Sequence, residues 1–367
     1  MKRIRTANQR IEDAQKQPDI LSLLGPIWHS GEVAILFADT GVGKSIFSIQ
    51  TGDGLSKGVN VTDSLLNECE PQIVLYYDFE LSDKQFQKRY QDDKTGKIHE
   101  FSDNFFIDNI DFIELFDKDP KLSFLESIFH KFKNDIIETR AKILIIDNIT
   151  FLNTQTTQDQ QASLDIMRKL IELKREHELS VLVLAHTPKR AENSPITISD
   201  LSGSKHLSNF ADSVFAIGKS SKGSSNRYLK QVKPSRSCEP VYHSGNVLEF
   251  GIDKDGDFLQ FFEIGTSSES DNLSISTDDP KIMAFSLKNQ NPQLTIREIA
   301  AKVGKSKSTV ADWLKDSPHW GNSIKEELDK PDKPDMRTLP DKYSDNGQPG
   351  LPGHAGHIGQ PFAAVKA

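Results

Sequence analysis

The sequence predicts an α/β fold, a mostly parallel twisted sheet flanked by helices, with a small all-α unit behind it. Three observations carry that expectation. Between Gly31 and Gly265, short apolar β-rich runs alternate with helical patterns. A glycine-rich turn ending in Lys-Ser separates the first of those runs from a helix. Beyond a Ser/Asp-rich break lies a compact basic stretch of helical character.

The strand candidates are 33–38 (VAILFA), 72–79, 141–147, 180–185, 212–218, 226–232 and 246–252. Several are apolar on both faces, as strands covered by helices on each side must be. The helix candidate 161–179 sets Leu164, Met167, Leu170, Ile171 and Leu173 on one stripe, which serves the core. Residues 1–20 read as an N-terminal arm and 21–264 as the main domain. The small and acidic residues of 265–280 read as a linker, and 281–316 as a helical module. The tail 317–367 is rich in Pro, Gly, Asp and Lys without periodicity, which predicts disorder. Its glycines at every third position from Gly347 to Gly359 are too few for a collagen helix.

Composition narrows the function. The 367 residues carry 36% hydrophobic and 27% charged side chains and a formal net charge of -8. That sign argues against nucleic-acid binding by bulk charge, so any DNA contact has to be local. Cys69 and Cys238 are the two cysteines, far apart and without metal-ligand spacing, which points away from disulfides and zinc. The basic start MKRIRTANQR leads into no apolar segment and no stretch approaches membrane-spanning length, so a cytoplasmic protein without a membrane partner is expected.

Residues 38–45 read A-D-T-G-V-G-K-S, a P-loop pattern with Ala38 where glycine is common. Gly41 and Gly43 let the backbone turn its N–H groups inward around a phosphate, and the helix starting near Lys44 adds its positive end. The cradle therefore comprises Thr40, Gly41, Val42, Gly43, Lys44, Ser45 and Ile46, with ATP and Mg²⁺ as the expected cofactors. Lys44 would bridge the β- and γ-phosphates, and the Ser45 hydroxyl would ligate the metal. Asp147, ending the buried run ILIID, is the expected metal-positioning acid at the same edge of the sheet. Glu80 follows the strand VLYYDF and is placed to activate water. His186 ends VLVLAH, where one side can face the γ-phosphate and the other a polar loop.

The ordered set GEVAILFADTGVGKS, VLYYDFE, ILIIDNIT, VLVLAHTPK, LSGSKHLSNFADSVFAI and LKQVKPSRS resembles the RecA-like ATPases, and most closely the RepA-type hexameric helicases of plasmids and mobile elements. The resemblance spans about residues 20–262. It implies a RecA-like P-loop NTPase core, with Lys44 and Ser45 as phosphate and metal contacts, Glu80 as catalytic base, Asp147 as metal-positioning acid and His186 as sensor. It also implies a homo-oligomeric, hexameric ring in which a neighbouring subunit supplies a cation to the transferred phosphate. The family's arginine in the segment matching SNFADSV is Asp212 here, which moves the expectation for that cation to Lys233 and Arg236.

The stretch 295–315, TIREIAAKVGKSKSTVADWLK, reads as a helix-turn-helix. Thr295 and Glu298 form a capping box, Gly304 permits the turn and Ser306 caps the second helix. Ala300, Val310 and Trp313 fall where the two helices touch. Lys305, Lys307, Ser308 and Thr309 open the second helix, where duplex DNA contacts are made.

Two functions follow from these motifs. One is an ATP-driven motor on single-stranded DNA, a replicative or mobilisation helicase whose pore loop lies in 186–205, with Lys189, Arg190 and Lys205 as phosphate contacts. A primase or initiator protein is a further candidate partner. The other is an ATP-dependent DNA-binding regulator or replication initiator that assembles on a site without unwinding.

Overall fold

The computed structural model describes residues 4–110, 122–149, 152, 160–187, 190, 194–201, 204–273 and 280–315. These fall into two units, one ending at Leu273 and one beginning at Pro280. Among the described residues no helix is long and apolar enough to cross a membrane.

The first unit opens with α1 (Ala7–Ala14), which starts on a Thr6–Gln9 capping box and buries none of its residues. The strands β1 (Ser22–Leu24) and β2 (Trp28–His29) form an antiparallel ribbon. There follow β3 (Val33–Ala38), α2 (Lys44–Lys57), β4 (Val74–Asp78), α3 (Asp83–Arg89), β5 (Phe105–Asp108), α4 (Phe124–Thr139) and β6 (Ile143–Asp147). Then come α5 (Gln160–His177), β7 (Ser180–His186), α6 (Ser204–Phe210), β8 (Ser213–Lys219), β9 (Asn226–Lys233), β10 (Val247–Asp255), β11 (Phe258–Ser267) and α7 (Glu269–Asn272).

From β3 to β11 the strands form one sheet of order β11-β10-β9-β8-β3-β7-β6-β4-β5. The six from β8 to β5 are parallel, and β9, β10 and β11 extend the sheet antiparallel. Period-two alternation along β3 shows how the layers form. Val33, Ile35 and Phe37 join α4 and α5 through Phe132, Met167 and Leu170. Ala34, Leu36 and Ala38 join α2 through Phe47, Ile49 and Leu55. Each fully buried side chain of this size contributes about 1.5–3 kcal/mol, so both layers hold the sheet firmly. This is the α/β sandwich that the sequence predicts.

The stretch 265–280 departs from its reading as a linker. Gly265–Ser267 complete β11, and α7 buries Glu269 and Asn272 at 2% and 1% exposure. The reason is electrostatic. Glu269 accepts a hydrogen bond from the Lys230 ammonium at 2.6 Å and one from the Ile196 N–H at 2.8 Å. Composition reads a Ser/Asp run as solvated, whereas two of its polar groups find partners in the core. β5 and β11 also lie outside the predicted strands.

In the second unit, α8 (Pro280–Gln290), α9 (Ile296–Val303) and α10 (Lys307–Lys315) share a core of Ala284, Ile296, Ile299, Ala300, Val303, Val310, Ala311 and Leu314, with Trp313 packed beside it. α9 starts on the Thr295–Glu298 capping box and ends at Gly304, whose φ of 63° is the left-handed cap that glycine permits. The Ser306 hydroxyl accepts from the Thr309 N–H at 3.1 Å and caps α10. The tail 316–367 lies outside the described residues.

Candidate active site

The parallel strands end on one edge of the sheet, and their last residues build the site. Ala38 pairs in register with His186, and Asp78 with Asp147. Between β3 and α2 the chain turns through Gly41 and Gly43, at φ 75° and 110°. A Cβ on Gly43 would lie 2.9 Å from both Ile252 and the Phe261 ring, so glycine is required there by conformation and by space. Gly43 caps α2 without a side-chain bond, leaving the first N–H groups of the helix directed into the turn.

The Lys44 ammonium is buried at 6% exposure. It donates to the Ala38 carbonyl at 3.1 Å and lies 3.0 Å from His186 Nδ1. Burial lowers its pKa, against the pull of Asp147, Glu80 and Asp39. An ammonium bonded to a carbonyl and a ring nitrogen amid nearby carboxylates is poised to take an anion.

Asp147 is 1% exposed and accepts from the Tyr76 hydroxyl at 2.8 Å, while Tyr76 lies 2.9 Å from Ser48 Oγ. The Ser45 hydroxyl also favours the ionised form of Asp147. Burial, helped by Glu80 and Asp78, pushes the Asp147 carboxyl up to about 6 against these hydrogen bonds. A hydroxyl and a desolvated carboxylate beneath a phosphate cradle suit Mg²⁺, which Ser45 and Asp147 would hold, and Lys44 would meet the phosphates of ATP.

Glu80 is presented by a turn in which Asp78 Oδ1 accepts from the Glu80 and Leu81 N–H groups at 2.8 and 2.9 Å. Its carboxylate is half exposed, 3.3 Å from His186 Nε2, and accepts a short bond from the Asn148 amide. Asn148 Nδ2 is also 3.0 Å from His186 Nε2. The bond with His186 keeps the Glu80 carboxyl below its ordinary value, so it is ionised at neutral pH. An ionised carboxylate at the rim of a phosphate site is placed to orient an attacking water.

A family model described as an AAA domain matches residues 2–192, just over half of the chain. The chain belongs to the AAA domain family. Its P-loop and the parallel sheet behind it are those of a P-loop ATPase domain. Among solved structures it is similar to a KaiC-like protein from the hyperthermophilic archaeon Pyrococcus horikoshii OT3, at 14% identity and a TM-score of 0.41, over 64% of this chain and 90% of that chain. No curated protein matches the chain in sequence.

The AAA domain thus brings Lys44, Ser45, Glu80, Asp147 and His186 to one edge, together with residues that sequence reasoning missed. Asp78 and Asn148 orient Glu80 and His186, and both sit beside motif residues, which is the signal that could have found them. Arg227 on β9 donates from Nε to the Val42 carbonyl at 2.8 Å and braces the P-loop from behind. Only the pairing of β9 with β8 brings it there, so local sequence carries no sign of it.

Arg190 departs from its expected place as an exposed DNA contact. Its side chain is 8% exposed, and Nε donates at 3.2 Å to Asp39 of the P-loop. A second nitrogen donates to the Ser194 carbonyl at 2.9 Å, and Thr187 Oγ1 bonds to Asp39 as well. Burial next to a carboxylate outweighs solvation for this cation, so it is bound to Asp39 of the P-loop instead of being presented to solvent. Lys189 and the side chain of Lys205 lie outside the described residues.

Lys233 and Arg236 sit at the opposite edge of the sheet, since Lys233 pairs with Val214 at the start of β8. The Lys233 ammonium donates to the Ser208 and Ala211 carbonyls at 2.8 and 2.6 Å, closing the end of α6. The Arg236 side chain is 69% exposed, with one nitrogen 3.7 Å from Asp212. In the second unit Lys281, Arg297, Lys302, Lys305 and Lys315 are exposed, whereas Lys288 is buried and donates to the Leu294 carbonyl at 2.7 Å. Ser308 and Thr309 bond to Ser306 at 2.8 and 2.7 Å within the cap of α10.

Proposed function

We propose that this AAA domain is the engine of an ATP-hydrolysing DNA motor, a ring-forming helicase that acts on single-stranded DNA. The observation that carries the reading is the position of His186, which touches Lys44 through one ring nitrogen and Glu80 through the other. The loop it opens is tied back to Asp39 through Thr187 and Arg190. A group that contacts both the phosphate-binding lysine and the water-orienting carboxylate registers whether a γ-phosphate is present, and its loop carries that state outward.

The roles follow from the geometry. The P-loop N–H groups and Lys44 bind the phosphates, Asp78 and Asn148 orient Glu80, and Glu80 holds the water in line. Mg²⁺, when bound, supplies charge neutralisation on the phosphate oxygens. Arg236, exposed at the edge away from its own P-loop, is the residue that a neighbouring copy's nucleotide would meet, because Lys233 is engaged by its own chain. The second unit, cationic on an acidic protein and with its own core, is proposed to hold duplex DNA through Lys305, Lys307, Ser308 and Thr309. That separate core also favours the alternative of an ATP-dependent DNA-binding regulator or replication initiator.

ATPase rates with and without single-stranded DNA, together with unwinding of a tailed duplex, test the reading. Stimulation by single strands with unwinding is expected. ATP-dependent binding to a duplex site without unwinding would replace the motor by the regulator.

A further inference from the structure

At the edge of the sheet away from the P-loop lies a buried polar cluster that the hydrolytic chemistry leaves unused. Its centre is Glu32, 7% exposed, just before β3. The Glu32 backbone is fixed, since its carbonyl accepts from the Val181 N–H at 2.9 Å and from the Trp28 indole at 3.3 Å. Carboxylate Oε1 accepts from the Ser235 and Ser237 hydroxyls at 2.7 and 2.9 Å, and Oε2 from the His29 N–H at 3.1 Å. Ser235 Oγ, itself buried, also lies 3.1 Å from His29 Nδ1 and accepts from the Ser237 N–H at 2.9 Å.

Burying a carboxylate is costly unless its lone pairs are filled, and here the two hydroxyls that fill those of Oε1 flank one residue. Ser235 and Ser237 both turn toward Glu32, and Arg236 between them faces away, 69% exposed. Asp212 steadies the guanidinium from 3.7 Å while its other oxygen is committed to the Val33 N–H at 2.9 Å and Lys174 at 3.1 Å.

We infer that Glu32 is the positioning residue for Arg236: by drawing both neighbouring serines inward it fixes the guanidinium outward, toward the nucleotide held by a second copy of this chain. The inference rests on the reading of Arg236 as a cation acting in trans. A long side chain on an untethered loop would have to be ordered at each encounter, whereas one carried on a clamped loop arrives oriented.

The test compares Ser235→Ala/Ser237→Ala with Arg236→Ala and with the combined variant in the full chain. The serine variant should keep wild-type affinity for a fluorescent ATP analogue and lose about tenfold or more in kcat, as expected for a misplaced catalytic group. In the Arg236→Ala background the serine substitutions should cost nothing further. Mixing the serine variant with Glu80→Gln subunits should recover turnover, because the intact sites of the former then receive a clamped Arg236 from the latter. If the double variant fails to bind nucleotide, Ser237→Ala alone, at an exposed position, should show a smaller loss of kcat with the same dependence on Arg236. Normal kcat in the clamp variants beside an inactive Arg236→Ala overturns the role of Glu32 and leaves the trans-acting arginine standing. Normal hydrolysis by Arg236→Ala overturns both.

Discussion

Lys44 Nζ lies 3.0 Å from His186 Nδ1, so the P-loop lysine rests on the last residue of β7. On the proposed function, a phosphate that claimed Lys44 would loosen its hold on His186. Lys44→Ala should abolish hydrolysis and weaken nucleotide binding, which equilibrium titration and phosphate release measure. His186→Ala should bind ATP at least as tightly as the wild type, while its hydrolysis no longer responds to single-stranded DNA. A retained response would remove His186 from the relay.

Glu80 reaches the site on a turn fastened by Asp78. For Glu80→Gln, ATP binding should survive while turnover falls by roughly 10²-fold or more, the scale for losing a positioned acid–base group. Asp78→Asn should lower kcat less and leave KM for ATP unchanged, since it acts through Glu80. Steady-state kinetics on the two variants separates these roles, and an unaltered Glu80→Gln would return that residue to the surface.

Much of this edge was legible in the sequence, because a glycine turn ending in Lys-Ser and acids at the ends of apolar runs are local patterns. The sheet order was not written there. Arg227 and Asp39 owe their roles to strands and loops distant in sequence, and Arg190 looked like a solvated cation because its acceptor lies 151 positions earlier. Glu269 was hidden for the same reason, as composition reads 265–280 as solvated while Lys230 waits in the core.

The Arg190–Asp39 bond predicts how the loop and the P-loop are joined. Arg190→Ala should destabilise the protein by about 1–3 kcal/mol, the cost of leaving a buried partner unsatisfied, and should lower DNA-stimulated hydrolysis. The salt dependence of single-stranded DNA binding should be unchanged, since Arg190 is spent inside the protein. A slope that falls by about one on a log–log plot would restore Arg190 as a phosphate contact.

Glu32 gives a signed pH effect. Burial raises its pKa, but hydrogen bonds from His29, Ser235 and Ser237 outweigh burial and leave it below the ordinary 4.5. A carboxyl depressed in the folded state stabilises the protein above the unfolded value and loses that contribution as pH falls through the folded one. The difference in Tm between wild type and Glu32→Gln should hold at neutral pH and shrink once pH drops below 4.5. A gap independent of pH would show that the charge is not what the serines require.

The last prediction separates the two proposed DNA-binding elements. A truncation at Gly265 would cut β11 and remove Glu269, leaving Lys230 buried without its carboxylate, so the cleavage point belongs after Leu273. That fragment keeps both apolar layers of the sheet and every residue of the phosphate edge, and it lacks the three cationic helices. If the domain is a motor on single strands, the fragment should still hydrolyse ATP faster when single-stranded DNA is added. Its affinity for duplex DNA should fall, with a shallower salt dependence as phosphate contacts are lost. If ATP serves only to assemble a site-binding regulator, all response to DNA should vanish with the helices. ATPase rates of a fragment that still binds nucleotide, taken against single- and double-stranded DNA at two salt concentrations, distinguish the two. Complete loss of stimulation there would overturn the motor.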